Sequence, residues 1–202
     1  MEGKNLRLEL LTSTRNAELL VSTAAKLCYY DGDSHDLMEE IKRTDNTGFI
    51  SKLMSMGHLS PLEHISFTFL IEGVSRALLA QITRHRLASF SVRSQRYVNS
   101  LEGFDYIIPP SIEGLGEDAV NKFKGQMDTL ADWYREWLSL LGEGLYEDAR
   151  FILPNAAETK MIVTMNAREL LHFVSLRSCN RAQWEIRELS DRMLYLARMW
   201  LS

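Results

Sequence analysis

The sequence predicts an α+β chain, a mixed α/β domain in which a small sheet is joined by long helices, and three observations carry that reading. Residues 65–71, ISFTFLI, are dense in β-branched and aromatic side chains, as a buried strand is. Residues from about Glu117 to Leu141 keep a long helical pattern without a proline. The candidate strands are few, and no internal repeat or low-complexity segment separates them. With 202 residues, 46% hydrophobic and 25% charged, the chain has room for one domain with a real core, so residues 1–202 are read as a single domain.

Taken in order, Leu6 to Leu11 partly alternates and suggests a first strand. Thr12, Ser13 and Thr14 are candidate caps for a helix that ends near Tyr30, with Leu19, Leu20, Ala24 and Leu27 near helical spacing. Asp31 to Ser34 is turn chemistry. A helix follows from about Asn46 to Met56, and Gly57 suits its end. After the strand at Ile65, Ser75 opens a helix running to about Arg84 or Arg86, with Leu78, Leu79 and Ile82 inward and Gln81, Arg84 and His85 on one polar face. Leu87 to Ser94 has no clear period and reads as a loop.

Pro109 and Pro110 stiffen a connection into the long helix, whose buried stripe is read as Leu130, Trp133, Trp137, Leu138 and Leu141. Tyr146 to Phe151 looks like a further helical turn, and Thr159 to Met165 like a strand. Asn166 can cap the helix NARELLHFVSLRS, and Ala182 to Leu201 forms the last one.

The apolar runs are too short to cross a bilayer and the N-terminus lacks a continuous apolar signal region, so a soluble cytoplasmic protein is expected. Cys28 and Cys179 are far apart and outside any CxxC spacing, which fits ordinary reduced thiols. The formal net charge of -4 argues against general nucleic-acid binding. One stretch runs against that balance. Residues 75–97 hold Arg76, Arg84, Arg86, Arg93 and Arg96, with His85 and no Asp or Glu. Guanidinium groups present planar forks of donors that match phosphate and carboxylate oxygens, so this stretch reads as an anion site. The plainer alternative is a basic face that pairs with acids elsewhere in the fold or on another subunit.

Other chemistries fit less well. His58 and His64 are six apart with Pro61 between them, unlike the four-residue helical spacing of a zincin, and no metal is expected. Ser89, Ser91 and Ser94 lie near His85, yet there is no GxSxG elbow and the arginines stay protonated, so Ser94 is cast as a donor to an anion. Arg168, His172 and Ser175 share a helical face, Arg177 lies four before Arg181, and Arg150 adds a third basic segment. Separated arginine segments suit a nucleotide phosphate together with a dinucleotide pyrophosphate. With neither GxGxxG nor GxxxxGK[ST], a dinucleotide would not be held in the Rossmann or P-loop manner.

Arg84-His85-Arg86, seven residues, then Ser94-Gln95-Arg96 resembles the RHRx7SxR motif of the flavin-dependent thymidylate synthases. HLSPLEHISFTF at His58, EDARFILP at Glu147, Asn166-Ala167-Arg168, and Arg177 to Ile186 are similar in the same order, covering roughly residues 50–190. The resemblance implies that family's fold and a homotetramer with active sites between subunits. It implies FAD as cofactor, dUMP as the substrate converted to dTMP, and NADPH and 5,10-methylenetetrahydrofolate as co-substrates. Gln81, Arg84, Ser94, Gln95, Arg96, Arg150 and Arg177 match the dUMP positions, with Arg177 catalytic. Ser60, Arg84, His85, Arg86, Asn166, Arg168 and His172 match the FAD positions. The chain departs from the pattern at Val92, His172 and Arg181. The competing class is a non-catalytic module that holds single-stranded nucleic acid in the arginine groove. Against it stands the scarcity of interleaved aromatics, Phe90 and Tyr97 being those in residues 75–97.

Overall fold

A computed structural model describes residues 1, 3–95, 103–142 and 144–201. Four strands, β1 (Arg7–Ser13), β2 (Ser66–Ser75), β3 (Ala88–Val92) and β4 (Glu158–Asn166), pair in the order β1-β2-β4-β3. The Thr68 and Thr164 hydroxyls meet at 2.9 Å, and the Gly73 amide donates to the Glu158 carboxylate at 3.1 Å, which sets an antiparallel register of β2 on β4. The helices are α1 (Ala17–Leu27), α2 (Ser34–Lys42), α3 (Thr47–Ser55), α4 (Arg76–Ile82), α5 (Pro110–Glu113), α6 (Glu117–Leu141), α7 (Tyr146–Ala149), α8 (Ala167–Arg177) and α9 (Trp184–Leu201). The chain divides into two compact units, with four of the five divisions falling inside strands and the fifth on the turn between Arg84 and His85.

Unit 1 comprises Met1–Leu8, Leu70–Arg84 and Phe90–Ile162. Its core gathers Phe104, Tyr106 and Ala157 on Met127 and Ala131 of α6, with Tyr134, Leu138 and Ala149 in a second cluster. The long helix falls where the sequence predicts it, but its face is turned. Trp133 and Trp137 are 48% and 49% exposed, while Met127, Ala131, Tyr134 and Leu138 face inward. Residues 127, 131, 134 and 138 themselves form a three-four repeat, and the neighbouring cluster accommodates this stripe rather than the indoles. Gly73 permits a close approach in this unit: at φ +67, a Cβ there would stand 2.0 Å from the Asn5 carbonyl oxygen. Ser75 opens α4, its hydroxyl accepting from the Leu78 amide at 3.0 Å, and Leu78, Leu79 and Ile82 are buried as expected. The helix stops at Ile82, where the Thr83 hydroxyl turns back to the Leu79 carbonyl at 2.9 Å. Arg84 therefore stands on a turn and shares no helical face with Gln81.

Unit 2 comprises Glu9–Phe69, His85–Ser89 and Val163–Ser202. Helix α1 is not capped by Thr12, Ser13 or Thr14. β1 runs on through Ser13, Thr14 accepts from the Ser66 amide at 2.9 Å, and Asn16 makes the entry at φ 51. The helix packs on α2, buries Ala17, Val21 and Ala25, and leaves Leu20 and Leu27 exposed. The turn at Asp31 to Ser34 leads into a helix that the sequence reading passed over. Asp33 accepts from the His35 amide at 2.7 Å, and Leu37 and Ile41, four apart, are both 1% exposed. Gly57 ends α3 with φ +77, as its position suggests. Asn166 caps α8, accepting from the Glu169 amide at 2.8 Å, and α8 packs on α9.

The segment read as a loop from Leu87 contains β3, whose two ends belong to different units. Its residues alternate between exposed and half-buried, so the pattern of a buried strand is absent from ASFSV.

Candidate functional site

Unit 2 holds a buried polar chain at the start of the RHR motif. His85 is 6% exposed, with its imidazole edge-on to Phe173 at 4.9 Å and to His172 at 6.0 Å between centroids. Its Nδ1 lies 3.0 Å from an oxygen of Glu169, itself 5% exposed, and its Nε2 accepts from Arg177 Nε at 3.1 Å. An arginine can only donate, so Nε2 carries no proton, the ring is neutral, and Nδ1–H donates to the carboxylate. Burial holds the His85 imidazole below its ordinary pKa. The Glu169 carboxylate pulls the other way, and the Arg177 and His172 charges reinforce burial. Glu169, His172, Phe173 and Arg177 all project from α8, the helix fixed by the Asn166 cap.

At the first turn of α8, Arg168 pairs with Glu63. Glu63 is on the 3₁₀ turn Ser60–His64, which packs on α1 and α8, and Ser60 at the start of that turn is exposed. Both members of the ion pair are about half exposed, at 51% and 45% of their side-chain surface. Arg86 is exposed and forms no ion pair among the described residues, and His172 is exposed one turn along α8 from Arg168. Of the residues assigned to the flavin by resemblance, Ser60, His85, Arg86, Asn166, Arg168 and His172 thus belong to unit 2, and Arg84 to unit 1. Three of them have side chains already engaged: His85 in the buried chain, Asn166 on the helix cap and Arg168 in the pair with Glu63.

Beside α1 and α3 in this unit is a cleft of about 420 Å³. Ser60, His58 and His64 line it together with Phe49, Leu53 and Tyr29. Polar donors on the 3₁₀ turn therefore face an apolar and aromatic wall.

Unit 1 carries the other group. Gln81 is on the last turn of α4, its side-chain amide 3.4 Å from the Ala77 carbonyl, and Arg84 is exposed on the turn that follows. Arg150 is half-buried, with Nε donating to the Glu147 carbonyl at 3.0 Å. Arg76, at the first position of α4, is also half-buried. Burial and the nearby Arg150 charge hold its guanidinium below the usual value. Neither Arg76 nor Arg150 is ion-paired to an acid among the described residues, and guanidiniums of that kind suit an anion. Ser94 and Gln95 line a separate polar cavity of about 280 Å³ with Gly103, Asp105, Glu158 and Thr159, and Arg93 there faces Glu158 at 3.6 Å. Arg96 lies outside the described residues. Gln81, Arg84, Ser94, Gln95 and Arg150 all belong to unit 1, whereas Arg177 belongs to unit 2.

The sequence reading did not find Glu169, and it placed Arg76 only within the arginine stretch read as an anion site. A glutamate at the third position of a helix opened by Asn reads as solvated or as part of a cap, and nothing local says that it is buried. The available signal for Arg76 was its place in a stretch with no acid.

The family model described as Thymidylate synthase complementing protein matches residues 9–201. The flavin-dependent thymidylate synthase of Geobacter sulfurreducens is 50% identical over 195 residues, covering 96% of this chain and 82% of that protein. That of Clostridium tetani is 43% identical over 211 residues, covering 96% and 84%. Among solved structures, a UMP/dUMP methylase PolB from Streptomyces cacaoi bound with 5-Br dUMP aligns with a TM-score of 0.80 at 25% identity, over 98% of this chain and 92% of that one. ThyX from Helicobacter pylori, with FAD and dUMP, aligns with a TM-score of 0.67 at 23% identity, over 94% and 91%. On a match that spans nearly the whole chain, and on relatives at this identity, the chain belongs to the thymidylate synthase complementing protein family, that of the flavin-dependent thymidylate synthases.

Proposed function

We propose that the protein is a flavin-dependent thymidylate synthase. It converts dUMP to dTMP by reductive methylation, with 5,10-methylenetetrahydrofolate as the one-carbon donor and NADPH as the reductant. The single observation that carries this reading is 50% identity to such an enzyme over 96% of the chain.

The donor set suits the ligands. Arg76 and Arg150 form a cationic pair in unit 1 that fits a nucleotide phosphate, with Ser94, Gln95 and Arg96 supplying further donors and Gln81 and Arg84 orienting the nucleotide. An FAD pyrophosphate is matched by exposed guanidiniums at Arg86 and Arg168. Ser60, His172 and the Asn166 main chain add neutral donors, and Arg84 stands between the two ligands. With both ring nitrogens engaged, a flavin contact from His85 uses its main chain. Bound FAD supplies the hydride that NADPH has delivered.

Arg177 does the work on the pyrimidine. Uracil C5 is a weak nucleophile that gains strength when negative charge on N3 and O4 is stabilised. A guanidinium supplies that stabilisation without giving up its proton. No side chain need attack the ring, which leaves Ser94 as a binder.

The proposed assembly is a homotetramer with active sites shared between subunits. It is supported by apolar surface left open on unit 1, where Trp133, Trp137, Leu140 and Phe151 are exposed. Residues 1–202 are proposed to act as one functional domain, since both ligand groups are needed for one site and the family match spans 9–201. No helix among the described residues is long and apolar enough to cross a membrane, and the proposed location is the cytoplasm.

The test is direct. Purified protein with added FAD should be yellow, oxidise NADPH faster when dUMP is present, and form dTMP when methylenetetrahydrofolate is added. A colourless protein that binds no FAD overturns the reading.

A further inference from the structure

We propose that Glu169 is a positioning residue for Arg177: it holds the proton of His85 on Nδ1, so that Nε2 is left to grip the arginine. The inference rests on the role proposed for Arg177. Glu169 is 84 residues from His85 in sequence, is 5% exposed, and places a carboxylate oxygen 3.0 Å from Nδ1. A carboxylate buried to this degree is retained only against a partner, and the partner here is an imidazole whose other nitrogen faces a guanidinium at 3.1 Å.

The geometry makes the tautomer matter. With the proton on Nε2, His85 and Arg177 would point N–H at N–H, and the contact at 3.1 Å would become repulsive. A carboxylate accepts only, so it selects Nδ1–H. This is the orienting role that a carboxylate plays toward any imidazole whose second nitrogen must stay an acceptor. Anchored at Nε, the guanidinium plane is set by the ring, and the ring is wedged edge-on against Phe173 and His172. Orientation of a charge-stabilising donor is where rate is lost when a group shifts slightly.

Protonating His85 would undo the arrangement. The imidazolium has no acceptor for Arg177 and adds a like charge beside it. The groups facing the ring are Glu169, which favours the cation, and Arg177 and His172, which oppose it; burial opposes it as well. Neutral His85 is thus maintained at and below neutral pH, and turnover falls as pH drops through its lowered value.

The experiment combines spectroscopy and kinetics. The imidazole nitrogens of His85 are read by ¹⁵N NMR in the protein without ligands, with assignment from His85→Gln. The expected ring is neutral with its proton on Nδ1 at neutral pH. In Glu169→Gln the carboxamide can present either its oxygen or its NH₂, so both tautomers should be seen. kcat for dUMP-dependent NADPH oxidation should fall about tenfold while the dUMP Kd changes less than about threefold. The low-pH limb of kcat should move to lower pH, because the carboxylate that favours the imidazolium is gone. An Nε2–H or cationic ring in the wild-type protein overturns the proposal, as does a Glu169→Gln enzyme with wild-type kcat and an unmoved limb. A wild-type protein with the expected ring but no dUMP-dependent turnover instead removes the function proposed for the protein, and the hydrogen-bonded chain stands.

Discussion

Arg177 is half-buried at the last position of α8 and is held at Nε by His85, so its loss removes a charge without opening a large cavity. Arg177→Ala should therefore keep the fold and the flavin spectrum. Its kcat for dTMP formation should drop on the order of a hundredfold, equivalent to about 3 kcal/mol of barrier, as measured by product formation at saturating dUMP. Near-normal turnover would remove Arg177 from its role. At this scale the sequence proposes which arginines matter and is silent about what holds them. The RHR spacing singled out His85, but its partners Glu169 and Arg177 are 84 and 92 residues away, and such pairing leaves no periodic trace. The same limit applies to Arg168, whose pairing with Glu63 joins a helix start to a 3₁₀ turn 105 residues before it.

Among the elements, α8 positions more of the site than any other, and its start is fixed by Asn166, which accepts from the Glu169 amide at 2.8 Å. Asn166 has two proposed duties, cap and flavin neighbour, and substitution can separate them. Asn166→Ala should cost about 1 kcal/mol of stability in urea denaturation and weaken FAD binding in a fluorescence titration. Asn166→Ser, an equally good cap, should restore the stability and, because the proposed flavin contact is from the main chain, the FAD affinity with it; affinity that stays low would assign the contact to the Asn166 carboxamide. Elements with strong local signals were legible from sequence: α6 with its long period, β2 with its β-branched run, and α4 and α8 with their side-chain caps. Those set by packing were not. α1 buries Ala17, Val21 and Ala25 in place of its leucines, and α6 leaves its indoles outside; in each case the neighbouring surface chose the face. β3 eluded the reading because its side chains alternate between exposed and half-buried without an apolar face.

For the molecule as a whole, the residues proposed to hold dUMP divide between the compact units: Arg150 lies in unit 1 and Arg177 in unit 2. Under the proposed assembly they meet at sites built from more than one subunit, and the exposed Trp133, Trp137 and Phe151 offer apolar surface for that association. This has a consequence that a site confined to one chain does not share. Arg150→Ala and Arg177→Ala, each nearly inactive alone, should complement when the two chains are co-expressed with different tags and the doubly tagged oligomer is isolated. If one subunit gives Arg150 and another gives Arg177, random pairing leaves both arginines intact in about one quarter of the sites, and kcat per site should recover to about that fraction. A site contained within a single chain has no intact copy in any mixture, and its activity stays at the level of the separate variants. Recovery near a quarter, with an oligomer mass by sedimentation that is a multiple of the 23.2 kDa chain, would establish the shared site; activity unchanged by mixing would confine catalysis to the single chain.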